Sequence, residues 1–175
     1  LQDLLIYQLK GLSLVAIAAR AEGINTDNAD KFIMESLFAT VTNANFSYSD
    51  FAQAINQGFQ VRDELAAKID ISGMHDAANF TAETSEFDAK AAKVGILATE
   101  NEDVRSLREL LIYGVKGTAA YQDHAFVLGQ KNKEIDAFNQ KALAATLDDN
   151  LSADELVGLI LECGKFGVDV MALLD

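Results

Sequence analysis

Leu1-Gln-Asp-Leu-Leu-Ile-Tyr-Gln-Leu-Lys-Gly11 returns 106 residues later as Leu107-Arg-Glu-Leu-Leu-Ile-Tyr-Gly-Val-Lys-Gly117. Over Leu1 to Gly23 against Leu107 to Gly129, nine positions are identical: Leu1, Leu4, Leu5, Ile6, Tyr7, Lys10, Gly11, Ala19 and Gly23 with their partners. Average residue usage would give only about one or two matches. The same offset pairs Asp30 with Asp136, Phe32 with Phe138, Leu37 with Leu143 and Ala39-Thr40 with Ala145-Thr146. One deleted residue later, Asn45-Phe-Ser-Tyr-Ser-Asp-Phe51 aligns with Asn150-Leu-Ser-Ala-Asp-Glu-Leu156. The chain therefore reads as two copies of one unit, 1–70 and 104–175, joined by a divergent stretch over 71–103.

Helical periodicity fills both units, so the predicted fold class is all-α, two duplicated three-helix bundles with six main helices. Helix one runs to about Glu22 and stops at Gly23. Asn25 or Thr26 opens helix two, with Asp27 and Asp30 in its first turn and Phe32, Ile33, Leu37, Val41 and Ala44 on its apolar face. Ser47 to Asp50 resembles a capping box for helix three, which presents Phe51, Ile55, Phe59, Leu65 and Ile69. In the second unit, Thr99-Glu-Asn-Glu102 reads as a capping box for helix four, which stops near Gly129. Asn132 opens helix five, with Ile135, Phe138, Ala142 and Leu143 inward. Ser152-Ala-Asp-Glu155 is a full capping box for helix six. Its stripe is Leu156, Leu159, Ile160, Cys163, Phe166, Val170, Leu173 and Leu174.

The connecting stretch, Ile71 to Ala98, has no clean period. Ser72-Gly73 predicts a turn. One short helix is expected around Thr84 to Ala92 and a short extended piece over Lys93 to Leu97, on the surface. A connection of this length packs against something or serves a function. Gly11 and Gly117 both fall in mid-helix, where glycine costs about 1 kcal/mol relative to alanine. Their repetition predicts close backbone approach between helices at both.

Composition narrows the function. Half the residues are apolar, there is no proline, and the net charge is −13. Long unkinked helices follow from the missing proline. The charge argues against nucleic acid and against an anionic membrane as partners. No stretch approaches about 20 uncharged apolar residues, so no bilayer-spanning segment is expected. A single cysteine forms no internal disulfide and is compatible with a reducing, cytoplasmic setting. The chain opens inside an apolar-periodic pattern with no helix start signal, which is the expectation for an excised piece.

The residues taken singly carry no recognisable catalytic motif. Asp123 and His124 are neighbours on a helix and point in different directions. His75 and Asp76 alone define no site. Two histidines and one cysteine leave any zinc site short of ligands, and the Glu-x-x-His pairs of di-iron bundles are missing. Asp148 to Glu155 fails as a calcium loop, with Ala153 at the glycine position and Leu159 at the glutamate position. It reads instead as a turn and a helix cap. Cys163 lies on the apolar stripe and reads as a buried thiol. The expected catalytic, cofactor-binding and metal-binding residues are none.

The stretch from Glu100 to Gly129, with Leu107-Arg-Glu-Leu-Leu-Ile-Tyr-Gly-Val-Lys-Gly117 at its centre, closely resembles the hybrid-cluster (prismane) protein family, also called hydroxylamine reductase. Leu1-Gln-Asp-Leu-Leu-Ile6, Thr42-Asn-Ala-Asn-Phe46 and Val170-Met-Ala-Leu-Leu-Asp175 are similar too, so the likeness runs over the whole chain in order. It implies the N-terminal helical domain of that family, two three-helix bundles at a steep angle, with kinship to nickel–iron carbon monoxide dehydrogenases. It also implies a parent that reduces hydroxylamine to ammonia, or handles nitric oxide, in the cytoplasm under anaerobic or nitrosative conditions. By the same resemblance, a cubane-type iron–sulfur cluster is held by four cysteines upstream of Leu1. A hybrid iron–sulfur–oxygen cluster is held by Cys, Glu and His residues of two later domains. Cys163 matches no ligand, so no cofactor is expected in this chain. The implied partners are the remaining domains of the parent and a redox protein, and the chain alone is expected to be inactive. The competing reading is a free-standing acidic helical interaction module. A third, a carboxylate-metal bundle enzyme, lacks its Glu-x-x-His pairs. Exposed apolar surface favours the first reading and a uniformly charged surface the second.

Overall fold

A computed structural model describes residues 1–43 and 46–175, and the described residues are all-α with no strand. Eight α-helices follow in order among them: α1 Gln2–Ala21, α2 Asp27–Thr42, α3 Tyr48–Ala66, α4 Asp76–Asn79, α5 Phe87–Val94, α6 Glu102–Val127, α7 Lys133–Ala145 and α8 Ala153–Ala172. Ala44, expected on the apolar face of α2, lies outside the described residues.

Helix ends follow local chemistry. Gly23 and Gly129 take positive φ, 75° and 84°, and close α1 and α6 in the left-handed conformation that glycine alone adopts without strain. Asn132 caps α7 by accepting the Glu134 N–H at 2.9 Å. Ser152 and Glu155 form the reciprocal box on α8. Two starts differ from expectation. The cap of α6 is Asn101, whose Oδ1 accepts the N–H groups of Asp103 and Val104 at 3.0 Å. Asn satisfies two orphan donors at once, which frees Thr99 to accept from Arg108 Nη1 at 3.3 Å. At α3, Ser47 accepts from the Asp50 N–H without the reciprocal bond.

α1 packs against α2, α3, α4, α5 and α7, and α6 packs against α8, α2 and α7. Partners on so many sides explain why α1 is apolar around most of its circumference. By length and composition it is apolar enough to cross a membrane, yet 67% of its most apolar window is buried inside the fold. Buried residues of both halves and of the connection form one cluster, from Leu4 through Phe87 to Cys163. Removing one fully buried leucine such as Leu5 costs about 2–5 kcal/mol.

The connection is the main departure from expectation. It is not a surface stretch: Ala77, Ala78, Phe80 and Phe87 are buried. Arg62 on α3 donates to the Phe80 carbonyl at 2.5 Å, and the Phe59 and Phe80 rings meet edge-on at 5.2 Å. α4 has too few residues to show a period, so the sequence pattern misses it. The expected helix near Thr84 is present as a 3₁₀ turn leading into α5. The expected extended piece over Lys93–Leu97 is the end of α5 and a second 3₁₀ turn. Other placements also shift: Val41 is exposed, and Ile69, Leu173 and Leu174 fall beyond the ends of their helices.

Candidate functional site

The residues weighed for chemistry have structural roles. His75 Nδ1 accepts the Ala77 N–H at 3.1 Å and opens α4. His124 is exposed and stands edge-on to the Phe38 ring at 5.5 Å. Asp148 accepts from the backbone and side chain of Asn150, making the expected turn before α8. Cys163 is buried with the Thr118 hydroxyl 4.0 Å from its sulfur, and burial raises its thiol pKa. That environment disfavours the thiolate needed by a nucleophile or a metal ligand.

The structure instead assembles a group that no single motif announced. A cleft of about 650 Å³ lies between α1 and α6, roofed by residues 93–101. Asp3 and Lys10 enter it from α1, and Glu109 and Lys116 from α6. These are the same two positions of the repeated motif. A spacing of seven residues is two helical turns, so each acid and lysine share a helix face. The signal was present in the repeat, but only the packing shows that both faces meet.

Desolvation dominates the electrostatics. Lys10 is lowered from 10.5 to about 8 by burial, against the opposing pull of Glu109. Burial also lowers Lys116 and raises Glu109. Asp3 is fixed by accepting the Ile96 N–H at 3.3 Å. Among the described residues no ion pair joins either lysine to a carboxylate. At one end of the cleft Arg108 ties α6 to the turn before α8, donating to the Asp148 carbonyl at 2.9 Å and to Asp149 at 3.0 Å. Its Nε is buried without a partner. The cleft thus gathers two lysines and two carboxylates from α1 and α6, with Lys10, Lys116 and Glu109 shifted by burial.

A second polar group pins the halves together. Arg20 Nη2 donates to Asp30 at 2.9 Å and to Gln140 Oε1 at 2.8 Å, and Gln140 Nε2 donates to Asp30 at 2.6 Å. Nearby, Gln122 donates to Asp136 and accepts from Asn139 Nδ2. Asp30 and Asp136 are repeat partners. Burial, and then Asp30, raise Asp136 from 3.8 to about 6.

None of this holds an iron–sulfur cluster, which needs about four thiolate-type ligands. One buried cysteine does not fit it, and among the described residues no three His, Cys, Asp or Glu side chains are grouped as a metal site.

A family model described as the Prismane/CO dehydrogenase family matches residues 1–175. The chain belongs to that family. It is 58% identical to a hydroxylamine reductase of Desulfitobacterium hafniense strain DSM 10664 / DCB-2, across 100% of this chain and 33% of that protein. A hydroxylamine reductase of Clostridium botulinum strain Langeland is 50% identical over 99% of the chain and 36% of its own length. One from Natranaerobius thermophilus is 48% identical over 100% and 34%. The chain therefore spans about a third of the relatives it matches. The resemblance in Leu107–Gly117 and the chain ends is thereby shown at the level of the family.

Proposed function

We propose that this chain is the helical scaffold of a longer iron–sulfur oxidoreductase that reduces hydroxylamine to ammonia and water. The supporting observation is the 58% identity to a hydroxylamine reductase over 100% of the chain. Clusters of cubane and hybrid type belong, on this reading, to other parts of the polypeptide. What this chain supplies is a rigid wall, cross-braced by the Arg20–Asp30–Gln140 group and lined on one side by the Lys10–Glu109–Lys116 cleft. The enzyme is cytoplasmic on this reading and draws electrons from a redox protein.

The architecture is proposed as two three-helix units, α1–α2–α3 and α6–α7–α8, made by duplication. Its support is a contact pattern that survives exchange of the copies. Each first helix packs on its own third helix, and each first helix also packs on the second helix of the other copy, α1 on α7 and α6 on α2. The interaction-module reading is disfavoured by the apolar face of α6, where Leu110, Tyr113 and Tyr121 are exposed.

The test is to purify the full-length polypeptide anaerobically and follow hydroxylamine loss and ammonia formation with a reduced viologen as donor. Turnover is expected. A full-length protein with its iron–sulfur clusters and no turnover on hydroxylamine overturns the proposed activity.

A further inference from the structure

The two copies of the repeated helix differ in how one of their sides is covered. The side facing the shared core is buried equally in both: Leu5 matches Leu111, Ile6 matches Ile112, Leu9 matches Val115 and Ala19 matches Ala125. The adjoining side is covered on α1 and bare on α6. Leu4 is 0% exposed and Leu110 is 53%; Tyr7 is 7% and Tyr113 is 77%; Val15 is 0% and Tyr121 is 47%. Gly11 is buried, while its partner Gly117 is exposed.

Over Tyr7 and Gly11 the cover on α1 is the connection. The Ala77 carbonyl lies where a Cβ on Gly11 would sit. The Tyr7 hydroxyl donates to Asp76 Oδ2 at 2.7 Å, and the Tyr7 ring packs on Phe80 with centroids 5.3 Å apart. A short helix crossing at a glycine, with an acid for the tyrosine hydroxyl and an aromatic for its ring, is what this motif accommodates. On α6 the tyrosine and the glycine recur, and among the described residues no neighbouring atom lies within 4 Å of a Cβ at Gly117.

We propose that the face of α6 made by Leu110, Tyr113, Gly117 and Tyr121 is a docking surface for a helical segment of the same polypeptide outside these 175 residues. The segment is held as residues 75–80 are held on α1. It presents a small residue over Gly117 and a carboxylate to the Tyr113 hydroxyl. The proposal rests on the reading that the chain is part of a longer enzyme, since 33% coverage of a relative leaves about two thirds of the polypeptide to supply the segment. An exposed tyrosine pair beside a leucine on one helix face is the sort of apolar patch that marks an interface. Retention of glycine at 117, where alanine fits and favours a helix by about 1 kcal/mol, has no use in the uncovered state.

Hydroxyl-radical footprinting read by mass spectrometry tests this on unmutated protein. In the 175-residue chain, Tyr113 is expected to oxidise readily and Tyr7 to be protected. In the full-length protein Tyr113 is expected to oxidise about tenfold more slowly, and equally so at all protein concentrations. A photo-crosslinker in place of Tyr121 is expected to capture a peptide from outside the chain. Gly117→Leu is expected to restore Tyr113 reactivity in the full-length protein while leaving the melting temperature of the chain unlowered. Equal Tyr113 reactivity in the chain and the full-length protein overturns the proposal. So does concentration-dependent protection of the chain alone with crosslinks between copies, which makes the occupant a second copy. Footprinting does not depend on turnover: protection without hydroxylamine reduction removes the proposed activity and keeps the surface, and the reverse removes only the surface.

Discussion

Gly114 on α6 faces Cys163 on α8, where a Cβ at Gly114 would stand 2.9 Å from the sulfur. In the first half the equivalent positions are Gln8 on α1 and Gly58 on α3, and a Cβ at Gly58 would meet the Gln8 side chain. The repeat sets both contacts at matching positions of first and third helices, and the small residue has changed sides. One crossing is filled by an amide that also donates to the Ile55 carbonyl at 2.5 Å, the other by a thiol. Close packing demands that the summed volume be kept, and either helix can give the space.

That relationship predicts a coupling. Gly114→Ala is expected to destabilise the chain by about 1–2 kcal/mol, because overpacking outweighs alanine's better helix propensity. In a Cys163→Ala background the same change is expected to be neutral or stabilising. Denaturant unfolding of the four proteins gives the interaction term. Additive effects would mean that the two residues do not share space.

The two repeated glycines are expected to part company. Gly11→Ala drives a methyl into the Ala77 backbone and is expected to cost about 2–4 kcal/mol. Gly117→Ala meets open space in the 175-residue chain and is expected to stabilise it by up to about 1 kcal/mol. The symmetrical expectation from sequence, close approach at both, holds at Gly11 and fails at Gly117. Thermal melts of the two variants check the difference.

Asp136 gives a pH signature. Its folded-state pKa, about 6, lies above the ordinary value of 3.8, so ionisation is penalised in the fold. The penalty is absent below about pH 4, builds between about 4 and 6, and is full at neutrality. Asp136→Asn is expected to stabilise by about 1–3 kcal/mol at neutral pH, with the gain fading in acid. A gain that does not change with pH would assign the effect to packing instead.

Lys10 carries the opposite sign. A lysine held near 8 is penalised while charged, so the penalty is full below about pH 8 and disappears as pH rises toward 10.5. Lys10→Met is expected to raise stability by about 1–3 kcal/mol at neutral pH and by little in strong alkali. Melting curves across that range read it directly.

Much of the fold was legible because its signals are local and repeated. Gly23, Asn132 and the Ser152–Glu155 box mark helix ends through bonds reaching no further than one turn. The buried stripe of α7 follows from its period. The connection was not legible for the opposite reason. Its burial depends on Arg62, Phe59 and Gly11, residues far away in the chain. The charged cleft was half legible: the seven-residue spacing of Asp3 with Lys10 and of Glu109 with Lys116 was visible, their convergence was not. Thr99 has the sequence signature of a cap, but Asn101, two residues on, serves two donors where threonine serves one.

The assignment of a scaffold whose reactive centres lie elsewhere in the polypeptide is tested most directly by anaerobic reconstitution of this chain with iron and sulfide. Iron content and hydroxylamine consumption are then measured beside the full-length protein. The expected result is no stoichiometric iron and no turnover in the 175-residue chain, with both present in the full-length protein. Stoichiometric iron with turnover in the chain alone would contradict it.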